Sequence, residues 1–112
     1  MILRGTITQS GTSAPAVTFT GQQPPYTITC VRDGEGIYRL TSDGHFAEGA
    51  SFLIGALRSV DFTSGMNIFQ GAVADEDTIT IESAVVSWDG GFNSVLYGDG
   101  LLLNTPFTLI TP

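Results

Sequence analysis

Four Asp-Gly pairs divide this chain, at Asp33-Gly34, Asp43-Gly44, Asp89-Gly90 and Asp99-Gly100. Asp-Gly is a favoured tight-turn dipeptide, because glycine takes positive φ without a Cβ clash and aspartate tolerates it better than most residues. Short runs rich in Thr, Val, Ile and aromatics lie between and around them. The pattern predicts β-strands joined by hairpins.

The runs can be placed one by one. Ile2 to Gln9 puts Leu3, Gly5, Ile7 and Gln9 on one face and Arg4, Thr6 and Thr8 on the other, a half-buried or edge strand. Ala16 to Thr20 follows a loop, and Pro24-Pro25 rules out a central strand immediately after it. Tyr26 to Arg32 and Ile37 to Ser42 flank Asp33-Gly34-Glu35-Gly36 as a hairpin. Ser51 to Phe62 reads as one strand, with Gly55 allowing a bulge. Met66 to Val73 and Thr78 to Trp88 form a second hairpin around the acidic tip Ala74-Asp75-Glu76-Asp77; Ile79, Ile81 and Ser83 alternate with Thr80, Glu82 and Ala84. Phe92 to Tyr97 and Leu101 to Ile110 complete the set, and Pro106 marks the last element as an edge strand or a bent one. No window supports an amphipathic helix. The expected fold is all-β: a single antiparallel β-sandwich or jelly roll of about eight strands spanning residues 1–112.

Composition narrows the partners. Net charge is −7, Lys is absent, and the four Arg (Arg4, Arg32, Arg39, Arg58) are scattered singly, so no phosphate-tracking surface and no anionic-membrane surface is expected. Only 13% of residues are charged while 42% are hydrophobic, a balance that suggests a surface covered by partners, most simply copies of the same chain. The single Cys30 allows no intrachain disulfide and reads as a small buried hydrophobe. The start at Met1 lacks the charged and long apolar regions of a signal peptide, and no Asn-X-Ser/Thr sequon occurs.

Candidate chemistry is sparse. His45 near Asp43 lacks a G-x-S-x-G elbow, and an aspartate at that spacing reads as a turn residue. Asp75-Glu76-Asp77 lacks the EF-hand spacing and reads as a solvated hairpin tip that discourages edge pairing. Glu35, Glu48 and Glu82 form no visible carboxylate pair, and Gly34-Glu35-Gly36 matches only the first half of a phosphate loop. No catalytic residue, cofactor site or metal site is assigned, and no enzyme is expected. Trp88, Phe92 and Tyr97 cluster around Asp89-Gly90-Gly91. They can cap a core, anchor an interface or stack on sugar rings, and are the candidate contact residues.

Two stretches carry a resemblance. Arg4-Gly5-Thr6-Ile7-Thr8-Gln9-Ser10-Gly11-Thr12-Ser13-Ala14-Pro15 resembles the opening of small structural proteins of tailed bacteriophages. Val31-Arg32-Asp33-Gly34-Glu35-Gly36-Ile37-Tyr38-Arg39-Leu40, with Phe46 beyond it, is similar to the R-x-G-x-G-x-Y hairpin of phage fibre and decoration domains with a C1q/TNF-like sandwich. The sequence departs from that pattern where Cys30 and Val31 stand in a region that often carries Trp. The resemblance implies a virion component assembled in the host cytoplasm: a capsid decoration (cement) or head-fibre protein, a homotrimer bound to the major capsid protein or another virion protein. The alternative is a receptor- or carbohydrate-binding fibre module that contacts host-surface glycan.

Overall fold

The computed structural model describes the backbone of residues 1–55, 58–61, 65–89 and 92–112, and the side chains of these except 58–61, 65, 88–89 and 92–93. The described residues form ten strands: β1 (Ile2–Thr8), β2 (Ala16–Thr20), β3 (Thr29–Gly34), β4 (Ile37–Thr41), β5 (Ser51–Ile54), β6 (Arg58–Asp61), β7 (Gly65–Asp75), β8 (Thr78–Asp89), β9 (Phe92–Tyr97) and β10 (Thr105–Ile110). They form two antiparallel sheets. Sheet A runs β2-β1-β10-β5, and sheet B runs β3-β4-β8-β7-β6 with β9 also paired to β8. The fold is the all-β sandwich that the period-two runs predict.

Alternation builds the core. Leu3 and Ile7 of β1 and Phe107 and Leu109 of β10 point inward from sheet A, while Tyr38, Leu40, Ile79 and Ile81 point inward from sheet B; all are buried. Phe107 carries an edge-to-face contact with Phe19 and a stacked one with Phe52, both at a centroid distance of 5.6 Å. Cys30 is half-buried beside this core, and burial pushes its thiol up to about 11.

The nine runs read from the sequence become ten strands because the run from Ser51 to Phe62 is not one strand. β5 pairs β10 in sheet A, whereas β6 pairs β7 in sheet B. Gly55, at φ +105°, ends the first part, a conformation that only glycine adopts readily. Pro106 also departs from expectation, because β10 is a central strand between β1 and β5. A residue's N–H and C=O point to the same side of a strand. The Pro106 carbonyl accepts the Gly55 N–H at 2.9 Å, just past the end of β5, so the missing proline N–H removes no rung of the ladder.

β8 is the spine of sheet B. One side pairs β7 along nearly its whole length. The other side is shared end to end: residues 78–82 pair β4, and residues 84–89 pair β9. Ser83 sits at the junction, donating its N–H to Gly36 and accepting from Gly98. At the β7–β8–β9 end the core-side face is open, with Leu96 65% exposed, so this end stands as a blade that sheet A does not cover; the chain measures 48 × 25 × 25 Å.

Candidate functional site

The junction at Ser83 is held by side chains from three distant segments. Asp99 accepts from Arg32 Nη2 at 2.6 Å and Nε at 3.2 Å, from the Gly36 N–H at 3.1 Å and from the Tyr38 hydroxyl at 2.7 Å. The Tyr38 proton lies between Asp99 and Gln9 Oε1, which is 2.9 Å away and also accepts the Gly100 N–H at 2.6 Å. The Gln9 amide nitrogen donates to the carbonyls of Gly11 and Ser13. The Arg32 guanidinium beside Asp99, aided by Tyr38 and Gly36, holds this carboxyl well below the usual carboxylate range. Burial, with Asp99 alongside, pushes the Tyr38 phenol up to about 12.

Gly36 completes the arrangement. Its φ is +71°, and an added Cβ would stand 2.5 Å from the Ser83 carbonyl and 2.7 Å from the Gly98 nitrogen. Asp99, Tyr38 and Gln9 thus join segments that are far apart in the chain. The cluster is a clamp that fixes the start of β4 against the end of β9.

The blade it positions has an unusual outer face. Successive outward rows across sheet B begin with Thr29, Thr41 and Thr78, then Val31, Arg39 and Thr80, then Ile37, Glu82 and Gln70. Beyond Ser83 the rows become Tyr97, Ala84 and Ile68, then Val95, Val86 and Met66. The change from threonine and charge to apolar side chains falls where β9 replaces β4 as the neighbour of β8. Tyr97 is 48% exposed and Val95 57%, while Leu96 on the opposite face is 65% exposed. Soluble faces rarely carry such a contiguous apolar run without a partner.

A shallow groove of about 130 Å³ crosses this face between Ile68, Gln70, Glu82, Ala84, Val95 and Tyr97. The Tyr97 hydroxyl reaches Glu82 Oε2 at 3.4 Å. The groove is smaller than the roughly 300–1,000 Å³ of most small-molecule sites. Of the three aromatics singled out in the sequence, Tyr97 therefore stands on the exposed face. Trp88 and Phe92 hold backbone positions opposite Asn93 and Asp89 in the β8–β9 ladder, and their side chains lie outside the described residues.

The remaining polar candidates serve the fold. His45 stacks on Tyr26 with ring centroids 4.0 Å apart and planes within 4°. Asp77 accepts the Gly44 N–H at 2.8 Å, and Asp75 accepts the Asp77 N–H at 2.8 Å. Among the described residues no group of three or more His, Cys, Asp or Glu side chains is placed to hold a metal ion. Also among them, no helix is long and apolar enough to cross a membrane. No protein-family model matches the chain, and no curated protein or solved structure shows significant similarity to it.

Sequence reasoning placed Gln9 on the inward face of the first strand but missed the clamp. Asp99 reads as a turn residue of an Asp-Gly pair, and nothing local marks it as the partner of Arg32, 67 positions earlier. The one available signal is Gln9 itself, a polar side chain in phase with Leu3 and Ile7.

Proposed function

We propose that this chain is a structural component of a bacteriophage virion, of the capsid decoration or head-fibre kind, that works by assembling with copies of itself and with other virion proteins rather than by catalysis. The observation that carries the reading is the apolar turnover of the sheet B outer face beyond Ser83. A face built for solvent continues the threonine pattern; a face built for a protein partner does not. Two further features support it. Only 13% of residues are charged, which leaves wide uncharged stretches for contact between copies, and the outer face of sheet A carries a second apolar strip, in which Ile2 pairs Ile110 beside exposed Leu53. That strip suits contact with the major capsid protein.

The experiment is light scattering on the purified chain at micromolar concentration, with Val86→Glu as the variant. The reading expects an oligomer that the buried charge dissociates. A stable wild-type monomer that fails to bind capsid shells refutes it.

A second reading is carbohydrate binding, favoured by Tyr97 standing exposed beside Glu82 and Gln70. A sugar ring stacks on such a phenol while the carboxylate and amide bond its hydroxyls. Tyr97→Ala should then abolish binding on a glycan array and leave the circular dichroism unchanged.

A further inference from the structure

We propose that β9 is the strand through which two copies of this chain join, its free edge pairing antiparallel with β9 of a second copy. The inference rests on the self-assembly reading above and specifies its geometry.

The direction of the backbone groups comes from the junction. Ser83 turns both its N–H and its C=O toward the β4/β9 side of β8. Alternation then turns residues 85, 87 and 89 the same way, and their partners Leu96, Ser94 and Phe92 face back to β8. The N–H and C=O groups of Val95 and Tyr97 are left directed at the open side, available to another strand.

The other sheet edges each carry a device against such pairing. On β2 the Gln23 side-chain amide donates to the Phe19 carbonyl at 3.2 Å, and Pro15 stands directly before the strand. β3 has a register shift between Arg32 and Gly34 and includes Arg32 and Asp33. β5 has only four residues, and β6 has four with a register shift between Ser59 and Asp61. β9 differs. Its six residues, Phe-Asn-Ser-Val-Leu-Tyr, contain no charge, no proline and no glycine, and its register with β8 is unbroken from Phe92 to Tyr97.

Charge selects a second copy as the occupant. The six residues of β9 carry no charge, so two copies can pair there without setting like charges directly opposite each other. A basic partner would instead be drawn to the acidic turns, away from β9. Size is consistent with a self-contact. Six residues give an edge of about 20 Å. Pairing also brings the exposed Val95, Leu96 and Tyr97 beside the second copy. A two-fold contact between identical strands closes on itself, leaving one paired edge instead of two free ones.

The test combines light scattering with amide hydrogen exchange. Val95→Pro removes an open-side N–H without touching a β8–β9 rung and keeps an apolar side chain, so the chain should fold with unchanged circular dichroism. Two symmetry-related backbone bonds are lost, and self-association should weaken about 100-fold. The exchange arm needs no variant: in wild type, the Val95 and Tyr97 amides should exchange more slowly in the oligomer than in diluted monomer. If Val95→Pro stays assembled and those amides exchange fast, edge pairing is overturned while self-assembly through the faces stands. An odd-numbered assembly, including the homotrimer that the resemblance implies, overturns the two-fold geometry. A wild-type monomer at high micromolar concentration overturns both this inference and the reading beneath it.

Discussion

Replacing Asp99 tests whether the clamp at the β4–β9 junction holds the blade in place. In Asp99→Asn, Oδ1 can still accept from Gly36 and Tyr38, but an NH₂ donor replaces Oδ2 and faces Arg32 Nη2, now at 2.6 Å from an acceptor. The change removes a charge-assisted pair. Such bonds contribute about 1.5–3 kcal/mol each, and partial exposure of the pair, with 16% of the Asp99 side chain accessible, argues for the lower part of that range. The expected loss is about 2 kcal/mol. Asp99→Ala also strands the Gly36 N–H and should cost about 3 kcal/mol.

For a domain of this size, 2 kcal/mol corresponds to a fall in Tm of roughly 8–9 °C, read by calorimetry at pH 7. The pH dependence adds a second check. The folded carboxyl is held below its unfolded value of about 3.9, so its contribution is complete above roughly pH 5 and is lost as pH falls through the acid range. The stability gap between wild type and Asp99→Asn should therefore close progressively below about pH 4. A Tm change under about 2 °C at pH 7, or a gap unchanged at about pH 3, would refute the reasoning.

On the alkaline side the sign reverses: the Tyr38 phenol is raised to about 12, so stability should hold below pH 10 and fall as pH rises beyond it, as followed by near-UV circular dichroism. Gly36→Ala should destabilise by several kcal/mol, because the Cβ meets backbone on both sides at a positive φ; chemical denaturation measures it. Leu40→Ala, at a site 1% exposed, should cost about 2–5 kcal/mol in the same assay. Cys30 should alkylate slowly at pH 8 in the folded protein and readily in denaturant, since burial holds its thiol at about 11; equal rates would contradict that.

The elements readable from sequence were those whose signal is local. Ile79, Ile81 and Ser83 alternate because one face of β8 is core, and the acidic tip before them turns because the Asp75 carboxylate accepts the Asp77 N–H two residues on. The break at Gly55 was harder to read, since an inward Phe52 and Ile54 look the same whether the chain continues in one sheet or crosses to the other. Pro106 misled for a related reason: its place beside the end of β5 depends on where a strand more than 50 residues away stops. Tyr97 could be marked as a candidate but not placed, because a period-two pattern tells one face from the other without saying which face lacks a second sheet. The clamp was invisible because its members meet only through pairing.

The way β8 serves two neighbours also sets an order of folding. β7, β8 and β9 follow one another in the chain and can zip together as consecutive hairpins. Sheet A instead waits for β1 to find β10, a closure between the two ends of the sequence. Long-range closures are slow, and domains rich in them fold in milliseconds to seconds. The apolar blade and its bare edge are therefore expected to form before sheet A closes and to stand open in the meantime. A nascent copy can meet its partner during that interval, so raising concentration during refolding should favour assembled product and, past a threshold, aggregation.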